Sequence, residues 1–378
     1  MPADGPFERR IRECQSALEG DADAAVLFPG PNLTYLTGFD EDPSERHFLL
    51  FVTPGDVAFV VPELSAAQVR DATHVEDLRV WADGDDPAAV VADAVGDLGL
   101  RDDDGSADGR RILLDDRLWS LFARDVRAAL PGAEFGLASE TLDDLRITKD
   151  DAELAAMREA GRIADEVSKE VRRMGSDAVG LTERDLAEAI RERLEARGGD
   201  GVSFETIVAA GPNGARPHHH HGDRQIREGD PVVLDFGTRV DGYPSDQTRT
   251  VVFAGDPPDG FTEAFEAVRD AQAAAVDAVE PGVEAREIDR AAREVIEGRG
   301  YGDAFVHRTG HGVGLEVHEA PYIVEGNDTE LAEGMVFSVE PGVYVEGEFG
   351  IRIEDLVAVT AEGAERLNDS PRGWEPLG

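Results

Sequence analysis

One stretch in the second half of the chain occurs twice, and that repetition limits the fold more than any other feature. GLTERDLAEAIRERLEARG, residues 180–198, aligns without gaps on GVEAREIDRAAREVIEGRG, residues 282–300, an offset of 282 − 180 = 102. Gly180/Gly282, Arg184/Arg286, Ala189/Ala291, Arg191/Arg293, Glu192/Glu294, Glu195/Glu297, Arg197/Arg299 and Gly198/Gly300 are identical, while Leu186/Ile288 and Leu194/Ile296 keep an apolar face. Arginine and glutamate dominate the surface of any acidic amphipathic helix. The case for duplication therefore rests on the flanking glycines and the flanking order. Each copy follows a longer helical pattern, 151–174 and 261–279, and precedes strand-like sequence. A duplicated α/β unit would form a pseudo-symmetric sandwich with a cleft between its halves, and such clefts often hold a site.

A chain of 378 residues is long enough for two domains, each burying its own core. Upstream of the repeat, strand and helix signals alternate: a helix over 7–18, an apolar run at 24–28, a turn at Pro29-Gly30-Pro31-Asn32, a strand pair at 47–52 and 57–61, then further signals at 88–98, 111–114 and 118–130. This pattern predicts a small α/β domain over 1–144. The acidic segment 101–109 reads as a solvated loop, because it lacks the ligand spacing and closing glutamate of a calcium loop. Near Leu145 the chain changes character. Thr148 with Asp151 makes a capping box for the 151–174 helix, and the second domain runs over 145–378.

Charge narrows the classes of partner. The chain has 37 Lys+Arg against 80 Asp+Glu, a net charge of −43. Nucleic acid is thereby excluded, since phosphate binding needs a basic face. The acids are spread along the whole chain among apolar residues at folding periods, so the sequence is not that of a disordered tail. Only two lysines occur, Lys149 and Lys169, and arginine supplies the remaining positive charge. A carboxylate-coated, lysine-poor surface fits the cytoplasm of a salt-loaded halophile, where screening relieves self-repulsion. A single cysteine, Cys14, cannot form an intrachain disulfide and is consistent with a reducing compartment. The N-terminal MPADGPFERRIREC lacks an apolar core of the secretory kind, and no uncharged apolar run reaches membrane-spanning length. A soluble, cytoplasmic protein without a membrane partner is expected.

Residues able to carry chemistry gather in the second domain. PVVLDFGTRVDGYPSDQTRTVVF, residues 231–253, reads as a hairpin turning at Val240-Asp241-Gly242 and bringing Asp235 and Asp246 onto facing strands. Beside Val232-Val233-Leu234, the Asp235 carboxylate needs a positive partner, either an arginine or a metal. Seven of the nine histidines follow residue 200, in PHHHHGD (His218, His219, His220, His221) and HRTGHGVGLEVHE (His307, His311, His318). The glycines of the second segment permit positive φ or close backbone approach to a ligand, and argue against a helix. Glu340 and Glu354 sit in apolar, strand-like sequence. Arg352, two residues before Glu354, would share its face on a strand and orient the carboxylates. Four carboxylates with one or two imidazoles suit two divalent ions, Mn²⁺ most naturally, with Co²⁺, Fe²⁺ or Zn²⁺ as alternatives. Two such ions can share and acidify a water.

In order, PHHHHGD, VVLDFG, GYPSDQTRT, HRTGHGVGLEVHE, FSVEPGVY and GIRIED resemble the motifs of the pita-bread metallopeptidases, and among them the Xaa-Pro peptidases, prolidase and aminopeptidase P. The resemblance spans 145–367. More weakly, PNLTYLTGF, 31–39, resembles the start of the creatinase-type N-terminal domain. It implies a mixed α/β (α+β) fold, a creatinase-like domain followed by a pseudo-symmetric pita-bread catalytic domain. It implies five metal ligands: Asp235 on one ion, His311 and Glu340 on the other, Asp246 and Glu354 bridging both. It also implies that Glu340 shuttles a proton while His218 and His318 position substrate and stabilise the oxyanion. His219, His220, His221 and His307 are left as structural or solvent-facing. The implied substrates are short proline-containing peptides, cleaved at the Xaa-Pro bond by a homodimer. Some prolidases carry a basic residue just after the HE-x-P segment to meet a dipeptide carboxylate. Here that position is Tyr322, which leaves dipeptidase and aminopeptidase both open. A hydrolase or lyase acting on a small osmolyte, and a metal-free binding module of the same fold, are the competing readings.

Overall fold

The computed structural model describes residues 5–378. Met1–Asp4, the start of the segment read as lacking a secretory leader, lies outside the described residues. The chain divides into two compact units, Met1–Arg146 and Ile147–Gly378. In the first, six strands form one mixed sheet in the order Asp77–Trp81, Val57–Pro62, Leu49–Val52, Ala24–Leu27, Arg111–Leu114, Glu134–Leu137. Their β-branched and aromatic side chains build a core with the helices Pro87–Asp97 and Ser120–Ala129. The turn expected at 29–32 is short, because a helix starts within it at Pro31 and runs to Thr37. Proline suits that first position, where its fixed φ is helical and its missing N–H has no partner to lose.

The second unit contains the duplication. The repeated helices are Glu183–Ala196 and Ala285–Gly298, whose bounds differ by the same 102 residues. They bury equivalent side chains, Leu186, Ile190 and Leu194 in one and Ile288, Ala292 and Ile296 in the other. Gly180 and Gly282 adopt φ 93° and 83°, and Gly198 and Gly300 repeat those values. Even the backbone pairing before each helix recurs: Gly180 N–H donates to Ile226 O at 2.9 Å, and Gly282 N–H to Leu331 O at 2.8 Å. Behind the first copy lies a sheet ordered Gln247–Val252, Pro231–Phe236, Ile207–Ala210; behind the second, a sheet ordered Glu319–Ile323, Gly310–Gly312, Val336–Val339, Asp355–Thr360, Gly363–Arg366. Each half has its own core, joined at Val252 to the strands of the other. The fold is thus the mixed α/β architecture expected, with strand edges of both halves available to frame a site.

Two local details position that site. The helix Asp151–Arg172 is capped by Asp150, not Thr148: its carboxylate accepts from the N–H groups of Ala152 and Glu153, and Glu153 reaches back to the Asp150 N–H at 2.9 Å. Glutamate closes this box from three residues on, whereas Thr148 pairs by its backbone with Met335. Asp355, fully buried, opens the strand that follows Glu354. Its carboxylate accepts from Arg249 at 2.7 Å, Arg366 and Arg372 at 2.6 Å each, and Gln272 at 2.9 Å. Burial pushes its pKa up, but Arg249 and Arg372 more than offset this and hold it below the ordinary carboxylate value. Replacing Asp355 by Asn strands buried guanidinium groups and should cost ~3–5 kcal/mol. Asp150→Ala, which removes only a cap, should cost about 1 kcal/mol. Denaturant titration of the two variants should return that order; equal losses would contradict the hub role of Asp355.

Candidate metal centre

The hairpin turns at Asp241 and Gly242, with φ 50° and 82°, and its register is continuous. Asp235 lies opposite Thr248 and Phe236 opposite Gln247. Residues directly opposite, and residues two apart, share a face. Asp235, Thr248 and Asp246 therefore project to the same side. In the other half, Val339 lies opposite Asp355; one residue further along that register, Glu340 lies across from Glu354. His311 sits on a strand squeezed between two neighbours. A Cβ on Gly310 would lie 1.8 Å from the Ser338 carbonyl oxygen, and one on Gly312 only 2.1 Å from that of Ala320. Gly310, Gly312 and Gly314 all keep negative or extended φ. Close packing between strands, not positive φ, requires the first two, and Gly314 makes room for the Glu319 carboxylate.

These side chains converge on one cavity of about 540 Å³ lined by Asp235, Asp246, His311, Glu340, Glu354, His218, His318 and Arg352 among others. Asp246, His311 and Glu354 each offer a ligand atom within 4.8 Å of the other two. Asp235 and Glu340 stand at the edge of that triad with other partners. Asp235 Oδ2 accepts from Arg352 at 2.6 Å, while Glu340 Oε1 is 3.2 Å from Ser338 Oγ and 3.3 Å from His311 Nε2. The choice posed for Asp235, arginine or metal, is not exclusive. Arg352 takes one oxygen and leaves Oδ1, buried and without a hydrogen-bond partner, for something else.

Electrostatics make the same demand. Burial pushes the pKa of Asp246 far up, and the charges of Glu354, Asp235 and Glu340 push it further. Glu354 is raised well above its ordinary value by burial and then by Glu340 and Asp235. Asp235 is raised by burial, against the pull of Arg352. Glu340 differs: burial raises it, but the hydrogen bond and charge of His311 prevail and hold it at about 2. The His311 ring stands 3.2 Å by Nδ1 from the Gly312 carbonyl oxygen. With Nδ1 turned to that carbonyl, Nε2 faces Glu340 at 3.3 Å and, at 3.8 Å, Asp246 Oδ2, a position where a proton on Nε2 or, in its place, a metal ion offsets the carboxylate charge. An orphaned buried Oδ1, mutually repelling carboxylates and an oriented imidazole fit divalent metal ions.

Several residues that serve the site escaped sequence reasoning. Thr248 Oγ1 donates to Glu354 at 2.6 Å, fixing one carboxylate from the hairpin's own face. Tyr344, with its pKa pushed to about 12 by burial, accepts from Arg352 at 2.9 Å and lies 2.9 Å from His307 Nε2. His307, left above as structural or solvent-facing, is a half-buried member of the cavity wall. His219 is 2.8 Å from the fully buried Glu183, which also accepts from Ala210 N–H and Asn213. His220 faces Glu205, and His221 the Thr206 carbonyl. The histidine loop is thus anchored through His219 and His221 while His218 lines the cavity. An i, i+4 spacing of His307 and His311 was the available signal for the former; Thr248 and Tyr344 carried none.

The model of metallopeptidase family M24 matches residues 155–361, and that of the creatinase/prolidase N-terminal domain matches 10–148. A probable dipeptidase PepE of Mycobacterium tuberculosis is 41% identical over 372 residues, covering 97% of this chain and 95% of that protein. An Xaa-Pro dipeptidase of Lactobacillus helveticus is 37% identical, covering 91% of this chain and 92% of that one. Among solved structures, a prolidase from Thermococcus sibiricus superposes with a TM-score of 0.91 at 36% identity, covering 99% of this chain and 100% of that one. The chain belongs to metallopeptidase family M24, with a creatinase/prolidase N-terminal domain ahead of its catalytic unit.

Proposed function

We propose that this protein is a dinuclear metal-dependent dipeptidase that hydrolyses the Xaa-Pro bond of short peptides. The observation that carries the reading is the buried triad of Asp246, His311 and Glu354, with the orphaned Asp235 Oδ1 beside it. The dipeptidases and prolidases to which the chain is similar support peptide substrates of this kind. Asp235 would serve one ion, His311 and Glu340 the other, and Asp246 and Glu354 both. Oxygen-rich ligation favours Mn²⁺. Divalent ions held there supply Lewis acidity that polarises a carbonyl and acidifies water.

The chain's own residues do the rest. Glu340, held at about 2, is ionised at neutral pH and begins as proton acceptor, later returning the proton to the leaving proline nitrogen. Burial, then His311 and Arg308, push His318 down to about 4, so it enters as a neutral donor to developing negative charge on the carbonyl oxygen. His218, on the same wall, orients the peptide. Arg352 bonds Asp235, Thr248 at 3.1 Å and Tyr344, and so fixes the carboxylates from behind. A soluble, cytoplasmic homodimer from a salt-adapted cell is part of this reading, supported by the net charge of −43 and two lysines in 378 residues. Among the described residues no helix is long and apolar enough to cross a membrane.

With Mn²⁺ in molar KCl, the protein should cleave Xaa-Pro dipeptides, and Asp246→Asn should lower kcat/KM by at least ~10³-fold in a folded variant. Cleavage of neither dipeptides nor Xaa-Pro-Yaa tripeptides by the parent protein would turn the assignment to a small osmolyte. Metal binding should also be linked to pH. Asp246 and Glu354 have folded pKa values above their ordinary 3.8 and 4.5. The folded apoprotein thus binds more protons than the unfolded chain, and its stability falls as pH rises from those values through the raised ones. Thermal stabilisation by Mn²⁺ should accordingly be larger at pH 7 than at pH 5; the reverse order would refute the carboxylate assignment. Finally, screening and salt-strengthened burial predict a melting temperature that drops when KCl is lowered from molar to ~0.1 M. A salt-independent melting curve would contradict the halophilic reading.

A further inference from the structure

Among the described residues, one cation on the cavity wall has no carboxylate partner. Arg308 is half-buried and lines the cavity together with His307 and His318. Among the described residues its guanidinium makes no hydrogen bond or ion pair; it lies over the Tyr322 ring, 4.4 Å from the guanidinium carbon to the ring centroid, and its charge is felt at His318. In a chain with 80 acids against 37 bases this is unusual. Among other half-buried arginines, Arg224, Arg293, Arg366 and Arg372 each hold a carboxylate, and Arg101 and Arg239 hold backbone carbonyls. An arginine kept unpaired amid excess carboxylate, inside a cavity, is available to an anion from outside.

Its placement is firm. The His307 Nδ1 lies 2.7 Å from the Arg308 carbonyl oxygen, and Arg293 donates to the His307 carbonyl at 2.6 Å. Thr309 N–H pairs with Ile323 O at 3.0 Å, and Tyr322 lies opposite His311 in the register. The segment carrying Arg308 is therefore tied to the strand pair that carries His311. The Tyr322 ring holds the guanidinium carbon by a cation–π contact and takes none of its N–H donors, and a guanidinium with free donors can receive a carboxylate through two parallel bonds.

We propose that Arg308, oriented by Tyr322, binds the C-terminal carboxylate of a dipeptide substrate and so sets dipeptide over longer-peptide specificity. This rests on the Xaa-Pro dipeptidase reading above. It assigns to Arg308 the carboxylate contact that a basic residue at position 322 would otherwise make. The carboxylate is the one group that distinguishes a dipeptide's second residue from an internal proline.

The Mn²⁺-loaded protein should be tested with Leu-Pro and Leu-Pro-amide, and by calorimetry with the non-hydrolysable reduced-amide (CH₂–N) analogue of Leu-Pro and its carboxamide. The acid should be preferred over the amide on the order of 10- to 100-fold in KM and in affinity. Arg308→Ala should collapse that ratio towards unity and Arg308→Lys should restore part of it. Arg308→Met, which keeps the aliphatic stem packed, should behave like the alanine variant if the latter folds poorly. Tyr322→Ala should weaken the preference less than removal of the arginine. An acid-to-amide ratio near unity in the parent protein, or one retained in both the Ala and Met variants, would overturn the assignment. A retained binding preference for the acid analogue without turnover of Leu-Pro would support the Arg308 site and count against the hydrolytic reading alone.

Discussion

Everything in the catalytic unit is arranged around the problem of holding like charges together. Asp235, Asp246, Glu340 and Glu354 share one cavity, and Asp246 and Glu354 are almost fully buried. Four carboxylates at such spacing repel one another strongly where water is excluded. Protein cations answer only part of this. Arg352 neutralises one oxygen of Asp235, and His311 lowers Glu340, but Asp246 and Glu354 remain far above their ordinary pKa values. The folded chain stores this repulsion because the rest of the unit over-determines the backbone, and bound divalent ions would release it.

The over-determination comes from the duplication. Each half supplies a helix pair, a core and a sheet, and the two sheets present ligand candidates from equivalent places: Asp235 and Asp246 from one hairpin, Glu340 and Glu354 from a strand pair of the other. Cross-links between halves then fix their register. Thr248 donates to Glu354, Glu354 N–H donates to Thr248 O at 3.1 Å, and Arg249 bonds both the Glu354 carbonyl and Asp355. Arg249 and Asp355 are nearly inaccessible to solvent, so this pair is dry and its geometry stiff. A buried ion pair of this kind contributes little net stability. Its effect here is to hold the strand that begins right after Glu354.

The sequence exposed these features unevenly, and the reasons are physical. The repeat was readable because helix faces and glycine caps constrain residue type at fixed spacing, and the hairpin because Asp-Gly with flanking β-branched runs has few other solutions. The carboxylates and His311 were readable because charged groups inside apolar strands demand an explanation. Partners defined by long-range approach left no such trace. Thr248 meets Glu354, 106 residues away, and Tyr344 meets His307, 37 residues away; a threonine in a strand and a tyrosine after a turn are ordinary residues. Thr148 with Asp151 meets the capping-box spacing, but so does Asp150 with Glu153, and there the glutamate reaches back to the cap N–H. For the glycines around His311 the sequence offers positive φ or close approach to a ligand, whereas in the fold Gly310 and Gly312 let three strands lie close.

The two lysines sharpen the reading of the surface. Arginine forms the exposed networks, as where Arg162 bonds Glu159 and Glu166 and Arg191 bonds Glu188 and Glu195 on helix faces. Exposed pairs of this sort are worth little singly and less in salt, so their number does not explain why lysine is absent there. Lys149, by contrast, is inside. Its side chain is 1% exposed, and Nζ donates to Glu319 at 2.8 Å and to the Ile147 carbonyl at 3.1 Å. Glu319 follows His318 on the cavity wall, so this ammonium anchors the segment that carries a proposed oxyanion donor. A compact point charge fits two acceptors in that space, where a planar guanidinium would need room for its fork. Arginine takes the interior positions that need a fork, Arg249 and Arg352, and Lys149 the one that needs a point charge, while Lys169 lies half-buried in the last turn of the 151–172 helix.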